Sequence, residues 1–344
     1  MNTPADGPRG LGSIGERGLV DLIRSRFPAP PGLLPVGIGD DAAVAVPTRG
    51  ALEVLTTDSL VEGVHFDLSF CSFHDIGYKA LAVNVSDIAS MGASARLALL
   101  SLILPARLTP SEVEALLDGF ALMASEAGVT LAGGNITTSP GPLVVDVTVI
   151  GAVRPRKVLT RGGGRPGDWL YVTGSIGAAA AGLRWLQARV QNGAGLPDED
   201  DMSDCASRYL RPEPRFRIGA LLGRNRAASA CMDLSDGLGD AVLQVCAASG
   251  TGARIEAASL PIPPCAARWF RAQGTDPASA ALSGGDDYEL LFAVPARRKG
   301  QLQSVLREAR GVPVTRIGEL TASTDIILMR EGKPEPVPAG FTHF

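Results

Sequence analysis

Strand-type and helix-type segments interleave along the whole 344-residue sequence, which predicts an α/β fold of mixed α+β character in two domains. Three observations carry that expectation. The chain is long enough, with 45% hydrophobic residues, to bury two ordinary cores. Its apolar residues switch repeatedly between a period of two and a helical period. At residues 154–167 the run RPRKVLTRGGGRPG, basic and rich in glycine and proline, breaks the texture and reads as the seam. The expected domains are therefore residues 1–153 and 154–344.

In the first half, residues 51–57 read as a strand ending at Asp58. Residues 74–92 read as a helix, because Leu81, Val85 and Ile88 fall on one stripe; Asn84 and Asp87 lie on a flank away from it. A second amphipathic helix covers 110–126, with Thr109 or Ser111 as N-cap, and LVVDVTVI at 143–150 is a β-branched strand. Beyond the seam the sequence predicts a strand at 169–173, a helix at 176–190 and a polar loop at 191–203. A short strand at 229–233, a helix at 237–248 and a strand at 253–257 follow. The Gly284-Gly285 turn leads into a strand at 288–294, then come a helix at 299–309 and strands at 314–317 and 326–329.

Bulk properties narrow the function classes. No apolar run reaches the roughly 20 residues of a membrane span, and the N-terminal stretch carries Asp6, Arg9, Glu16 and Arg17 where a signal peptide would be apolar. Five cysteines are scattered without a CxxC, which fits reduced thiols and a cytoplasmic location. The net charge of −4 and the lack of a long basic cluster argue against nucleic acid as the main partner. Subtracting four lysines from 32 basic residues leaves 28 arginines, a bias that a GC-rich genome accounts for.

Aspartates recur in glycine turns or at the ends of apolar segments: Asp40 and Asp41 in GIGDDAAV, Asp58 in TTDS, Asp87 in NVSD, Asp233 and Asp236 in DLSDG, Asp286 and Asp287 in SGGDDYEL. Singly each has an ordinary reading, as an Asx turn at Asp58, a solvated helix residue at Asp87 or a helix N-cap at Asp236. Five such segments together favour a site, because clustered carboxylates need cations, and oxygen-only ligands point to Mg²⁺. Mg²⁺ usually bridges to phosphate, so a nucleoside triphosphate is the simplest substrate. The sequence has no P-loop, no protein-kinase H-R-D and no Rossmann G-x-G-x-x-G; Gly133-Gly134-Asn135 and Gly162-Gly163-Gly164 are glycine-rich without matching one. The three histidines (His65, His74, His343) form no zinc pair or hydrolase triad.

GIGDDAAV, TTDSLVEGVHF, GYKALAVNVSDIASMGA, AGGN, DLSDGL, SGGDDYEL and the terminal GFTHF occur in that order over nearly the whole chain. Together they resemble the thiamine-monophosphate kinase family, within a superfamily that includes aminoimidazole ribonucleotide synthetase, selenophosphate synthetase and the hydrogenase-maturation dehydratase. The resemblance implies ATP-dependent, in-line phosphorylation of thiamine phosphate to thiamine diphosphate. It also implies a homodimer in which the N-terminal domains share a β-barrel, with a C-terminal α/β domain completing the site. Carried over, Asp41, Thr56, Thr57, Asp58, Asp87, Asn135, Asp233 and Asp236 would hold several Mg²⁺ ions. Gly134, Asn135, Arg161 and Ser235 would contact ATP, and His65, Asp286 and Phe341 would contact thiamine phosphate. Asp58, Asp87, Asp233 and Arg161 are the residues expected to carry catalysis.

The sequence departs from the family at Asn135, where an aspartate is usual, and at Asp286, where a glutamate is common. The amide keeps an oxygen ligand but brings no charge. Within the superfamily, a selenophosphate synthetase would need a reactive N-terminal cysteine, yet the first cysteine is Cys71; the hydrogenase-maturation enzyme would need a C-terminal cysteine, yet the chain ends in Phe344. The runner-up is another ATP-dependent small-molecule enzyme of the same superfamily, aminoimidazole ribonucleotide synthetase- or selenophosphate synthetase-like; a non-catalytic metal-binding module, the least favoured alternative, would bind metal without turning over ATP.

Overall fold

The structure is a computed structural model that describes residues 11, 15–28, 30, 32–192, 196, 199–309, 311–338 and 340. The chain divides into two compact units: Met1–Asn84 with Ala95–Ala152, and Val85–Ser94 with Val153–Phe344.

The first unit contains α1 (Gly15–Arg26), β1 (Leu52–Val61), the first part of α2 (Phe73–Ser90), β2 (Ser94–Pro105), α3 (Pro110–Ala127), β3 (Thr130–Ser139) and β4 (Val144–Val153). Its four strands form one sheet in the order β1-β4-β2-β3. Strand β4 explains the sheet's two faces: Val145, Val147 and Val149 are fully buried, while the alternate Asp146, Thr148 and Ile150 are half-buried. Leu102 and Leu104 of β2 and Leu116, Leu117, Phe120 and Met123 of α3 are buried as well. Helices α2 and α3 cross with backbones touching, because a Cβ on Gly77 would lie 1.9 Å from the Leu116 carbonyl oxygen and one on Gly119 1.8 Å from that of His74. At the N-terminus of α3 the Glu112 carboxylate accepts from the Thr109 N–H at 2.7 Å, so Thr109 is the cap.

Two expectations change here. The strand expected to stop at Asp58 runs on to Val61, so Asp58 lies inside β1. Helix α2 carries its Leu81, Val85 and Ile88 stripe as expected, but Asn84 is also fully buried, because neighbouring Ala80, Ala82, Val83, Ser86 and Ala89 make the helix buried on every side.

The second unit contains the end of α2, then β5 (Trp169–Thr173), α4 (Ala178–Asn192), α5 (Glu199–Leu210), α6 (Phe216–Asn225), β6 (Ala230–Asp233), α7 (Leu238–Ser249) and β7 (Gly252–Glu256). It continues with α8 (Pro264–Ala272), α9 (Pro277–Ser283), β8 (Leu290–Val294), α10 (Lys299–Ala309), β9 (Val314–Thr321), β10 (Ile326–Arg330) and β11 (Lys333–Pro336). The strands form a seven-stranded sheet in the order β11-β10-β7-β9-β5-β8-β6. Neighbouring strands pair antiparallel except β7 with β10, so the sheet is mixed.

Both faces of the sheet are covered. One core gathers Leu170, Val172, Met232, Val242, Val245, Ile255 and Leu291; another gathers Ile218, Leu222, Cys231, Phe292, Val294, Leu302 and Val305. The expected polar loop at 191–203 gives way to α5 from Glu199, and Met202, Cys205, Ala206 and Tyr209 show why. They are buried at i, i+3, i+4 and i+7, a helical stripe outweighed in the sequence by the acids around it.

Candidate active site

Within the second unit, three motifs separated in sequence come together. Ser86, at the end of α2, donates a 2.8 Å hydrogen bond from its hydroxyl to Asp233 Oδ2 at the end of β6, and both residues are buried. This joins N-x-S-D to D-L-S-D across 147 residues. The same α2 segment is held by a Leu159 N–H bond to the Met91 carbonyl at 3.0 Å and by Gly219, whose Cβ would lie 2.1 Å from the Ala89 oxygen. The Asp233 loop is in turn zipped to SGGDDYEL. Leu234 N donates to Glu289 O at 2.9 Å, Asp286 N to Ser235 O at 2.7 Å and Tyr288 N to Leu234 O at 3.0 Å. Asp87, Asp233, Ser235, Asp236 and Asp286 therefore belong to one constellation.

That loop is strained. Asp286 and Tyr288 sit at φ 68° and 48°, a region unfavourable to residues with a Cβ. The strain accompanies tight packing, since a Cβ on Gly285 would come within 2.5 Å of the Ser235 oxygen and one on Gly237 within 2.7 Å of the Gly284 oxygen. Glu289 secures the loop: both its oxygens accept from the Arg215 fork, and Thr173 donates to it at 2.6 Å. Asp287 accepts N–H bonds from Gly177 (2.7 Å) and Ala179 (3.2 Å) at the start of α4. Burial pushes its carboxyl up to about 8, against the pull of those two donors. Asp287 is thus an anchor for α4, a role its sequence context gave no means to assign.

Arg161 lies in the chain leading to this unit's sheet, where Cys231 N bonds the Thr160 carbonyl at 2.9 Å. Its guanidinium donates to Gln244 on α7, which itself donates to Asp240.

The first unit distributes its expected residues over two faces. Along β1, Thr56 and Asp58 project to the side of buried Leu60, and Thr57 to the other. The Thr57 hydroxyl meets Thr148 Oγ1 at 3.0 Å and the Val147 carbonyl at 3.2 Å, and Ser59 bonds Asp146. These contacts run in opposite directions along β1 and β4, so the pair is antiparallel. His65 lies in the turn after β1, where its Nδ1 accepts the Val61 N–H at 3.1 Å. In its neutral form that leaves the proton on Nε2, facing away from the backbone.

On the outer face, a cavity of about 860 Å³ is lined by Asp40, Asp41, Gly134, Asn135, Asp146 and Thr148 together with apolar residues of β2 and β3. Gly133-Gly134-Asn135, expected as a turn, lies inside β3 beside a register shift at Ala98/Leu99. A Cβ on Gly134 would sit 1.8 Å from the Leu100 oxygen, so glycine is needed for strand contact. Asp40 serves the turn, its Oδ1 accepting the Asp41 N–H at 2.8 Å. Thr56, Thr57 and Asp58 do not line this cavity; β1 and β3 are opposite edges of the sheet. Phe341 lies outside the described residues.

Among the described residues no three His, Cys, Asp or Glu side chains converge as a ready metal cage. The donors nevertheless fit Mg²⁺, which needs few protein ligands and keeps its waters. The expected set is wholly oxygen, and the buried Asn84 Oδ1, one helical turn before Asp87, has no hydrogen-bond donor among the described residues. No helix among them is long and apolar enough to cross a membrane.

The two units and their motifs fall within the two domains of one class of proteins. Residues 39–153 match the family described as AIR synthase related protein, N-terminal domain, and residues 165–330 match its C-terminal domain. The chain is 40% identical to the thiamine-monophosphate kinase of Escherichia coli strain K12, covering 90% of this chain and 92% of that one. It superposes on the crystal structure of thiamine-monophosphate kinase from Stenotrophomonas maltophilia K279a with a TM-score of 0.80 at 37% identity, over 92% of this chain and 96% of that chain. The structure described as AaThiL complexed with AMPPCP and TMP matches with a TM-score of 0.75 at 31% identity, over 99% and 100% of the two chains. The chain belongs to the thiamine-monophosphate kinase family.

Proposed function

We propose that this enzyme transfers the γ-phosphoryl group of ATP in line to thiamine phosphate, yielding thiamine diphosphate and ADP. The observation that carries this reading is the buried Ser86–Asp233 bond, which fixes two acidic motifs of the second unit together. The oxygen ligands Asp41, Thr56, Thr57, Asp58, Asp87, Asn135, Asp233 and Asp236 would hold Mg²⁺. When bound, Mg²⁺ neutralises the phosphates and polarises the transferred group. Gly134, Asn135, Ser235 and Arg161 serve ATP, the guanidinium being the one cationic side chain of the set. His65 offers Nε2–H to the acceptor phosphate, Asp286 attracts the thiazolium cation, and Phe341 packs on a ring. No general base is required, because the attacking phosphate oxygen is already ionised near neutral pH.

The acting form in this proposal is a cytoplasmic homodimer whose first domains, residues 1–153, share a β-barrel, while residues 154–344 complete the site. The first unit exposes Leu55 at 66% on β1 and Val64 at 67%, with Val44, Val46, Leu52 and Leu99 also exposed. Exposed apolar side chains of this number in one unit favour a partner surface. Leu55→Glu is expected to shift the sedimenting species from dimer to monomer by introducing a desolvated charge. A variant that sediments like wild type overturns the shared barrel.

The test of function is to incubate purified protein with ATP, Mg²⁺ and thiamine phosphate and to separate thiamine diphosphate by chromatography. Asp58→Ala is expected to lower kcat by about 10²-fold at unchanged circular dichroism. Near-normal kcat in that variant removes Asp58 from the site, and absence of product from wild type overturns the reading as a whole.

A further inference from the structure

Apart from Arg161, the basic seam plays no part in the reaction above, yet it borders a second cavity, of about 280 Å³, in the second unit. Six cationic side chains line it: Arg156, Lys157, Arg165, Arg226, Arg297 and Arg298. In a chain of net charge −4, this concentration does not follow from overall composition. The single carboxylate in the lining, Asp168, is buried and already engaged, its Oδ2 accepting from Ser229 Oγ at 2.6 Å and from Arg165 N at 3.1 Å.

Two of the cations have structural work. Lys157 donates to the Arg224 carbonyl at the end of α6, and Arg298 Nη1 donates to the Ala228 carbonyl at 2.8 Å. The guanidinium groups of Arg156, Arg165, Arg226 and Arg297 make no hydrogen bond or ion pair among the described residues. Arg226 is also held at φ 51° as the C-cap of α6, a position that suits glycine. An arginine there sacrifices backbone ease, and what it places at the cavity is charge.

The cavity is separate from the acidic constellation. Ser229 and Ala228 precede β6, whereas Asp233 ends it, and β8 runs antiparallel with Ala293 opposite Ala230 and Leu290 opposite Asp233. Arg297 and Arg298 follow β8 on the Ala230 side. The two sites therefore occupy opposite ends of the same strands, about 10 Å apart at the strand rise.

We propose that this cavity binds a diphosphate group. Unpaired arginines favour phosphate oxygens, which accept forked, charge-assisted bonds. The volume lies just below the ~300 Å³ lower end of ligand pockets, which matches a compact polyanion better than a whole nucleotide. The group can come from free diphosphate or from the tail of a nucleoside diphosphate whose base stays outside.

Calorimetric titration of the full chain with inorganic pyrophosphate, in EDTA, reads this site without the metal-dependent one. Saturable binding below about 1 mM is expected. It should weaken at least tenfold in Arg226→Gln/Arg297→Gln, and independently in Arg156→Gln/Arg165→Gln, while Asp233→Asn leaves it unchanged. ADP that displaces pyrophosphate identifies a nucleotide tail as the source, and ADP that does not identifies free diphosphate; either supports the site. Binding that never saturates, or that survives both arginine pairs, overturns it. Circular dichroism and turnover equal to wild type in the arginine variants separate loss of this site from loss of fold.

Discussion

Asp233→Asn is expected to lower kcat by at least about 10³-fold while the melting profile stays close to wild type. Asparagine has nearly the same shape, and its amide oxygen can still accept the Ser86 hydroxyl, so the buried link between α2 and β6 survives. What disappears is a full negative charge at the junction of two acidic motifs. Phosphoryl transfer between two anions depends mainly on neutralisation, so losing a metal-holding charge falls on the transition state. Ser86→Ala separates holding from positioning. It leaves the carboxylate charged but without its buried donor, and should raise the Mg²⁺ concentration needed for half-maximal rate more than it lowers the saturated rate. Steady-state kinetics over a Mg²⁺ series reads both effects. An Asp233→Asn variant with kcat within tenfold of wild type removes this carboxylate from the chemistry.

Part of the acidic pattern was legible in the sequence because a short-range signal coincides with an element boundary. DLSDG ends a strand and starts a helix, and the structure gives β6 and α7 around it. Strand β5 and helix α10 have the expected limits, since both are bounded by glycine- or proline-rich turns. Tertiary arrangement was not legible. Gly133-Gly134 reads as a turn, yet here glycine answers a close approach of β2, a demand set by a carbonyl more than thirty residues away. Thr56-Thr57-Asp58 reads as one ligand group, yet strand alternation divides it between faces. Asp286 and Asp287 look alike as neighbours, but one sits half-buried in a strained loop and the other is buried at the start of α4. The unclaimed arginines looked like genome bias, and only the cavity gives Arg156 and Arg165 of the seam a common location with Arg226 and Arg297.

Arg215→Ala is expected to destabilise the second unit by about 3–5 kcal/mol, the cost of leaving a buried charge uncompensated. Arg215 is 8% exposed and Glu289 1%, and the fork is bidentate, Nε to Oε2 at 2.6 Å and Nη2 to Oε1 at 2.5 Å. Burial works against the Arg215 charge, but Glu289 and Glu213 more than restore it and hold the guanidinium above its ordinary range. Removing the fork strands the Glu289 carboxylate with only the Thr173 hydroxyl, in a chain segment that also bonds Leu234 and carries strained Asp286 and Tyr288. The melting transition of this unit should fall by roughly 10 °C. Thiamine phosphate KM should rise even well below that transition, because the loop presenting Asp286 loses its clamp. Arg215→Met/Glu289→Met removes both charges and is expected to recover most of the lost stability, since an apolar pair of similar volume carries no desolvation penalty. The two readouts then part company. If the pair acts only on stability, the double variant regains KM along with its melting temperature. If the clamp positions the loop, stability returns while KM stays high, because two methionines fill the space without fixing the backbone between Asp286 and Leu290.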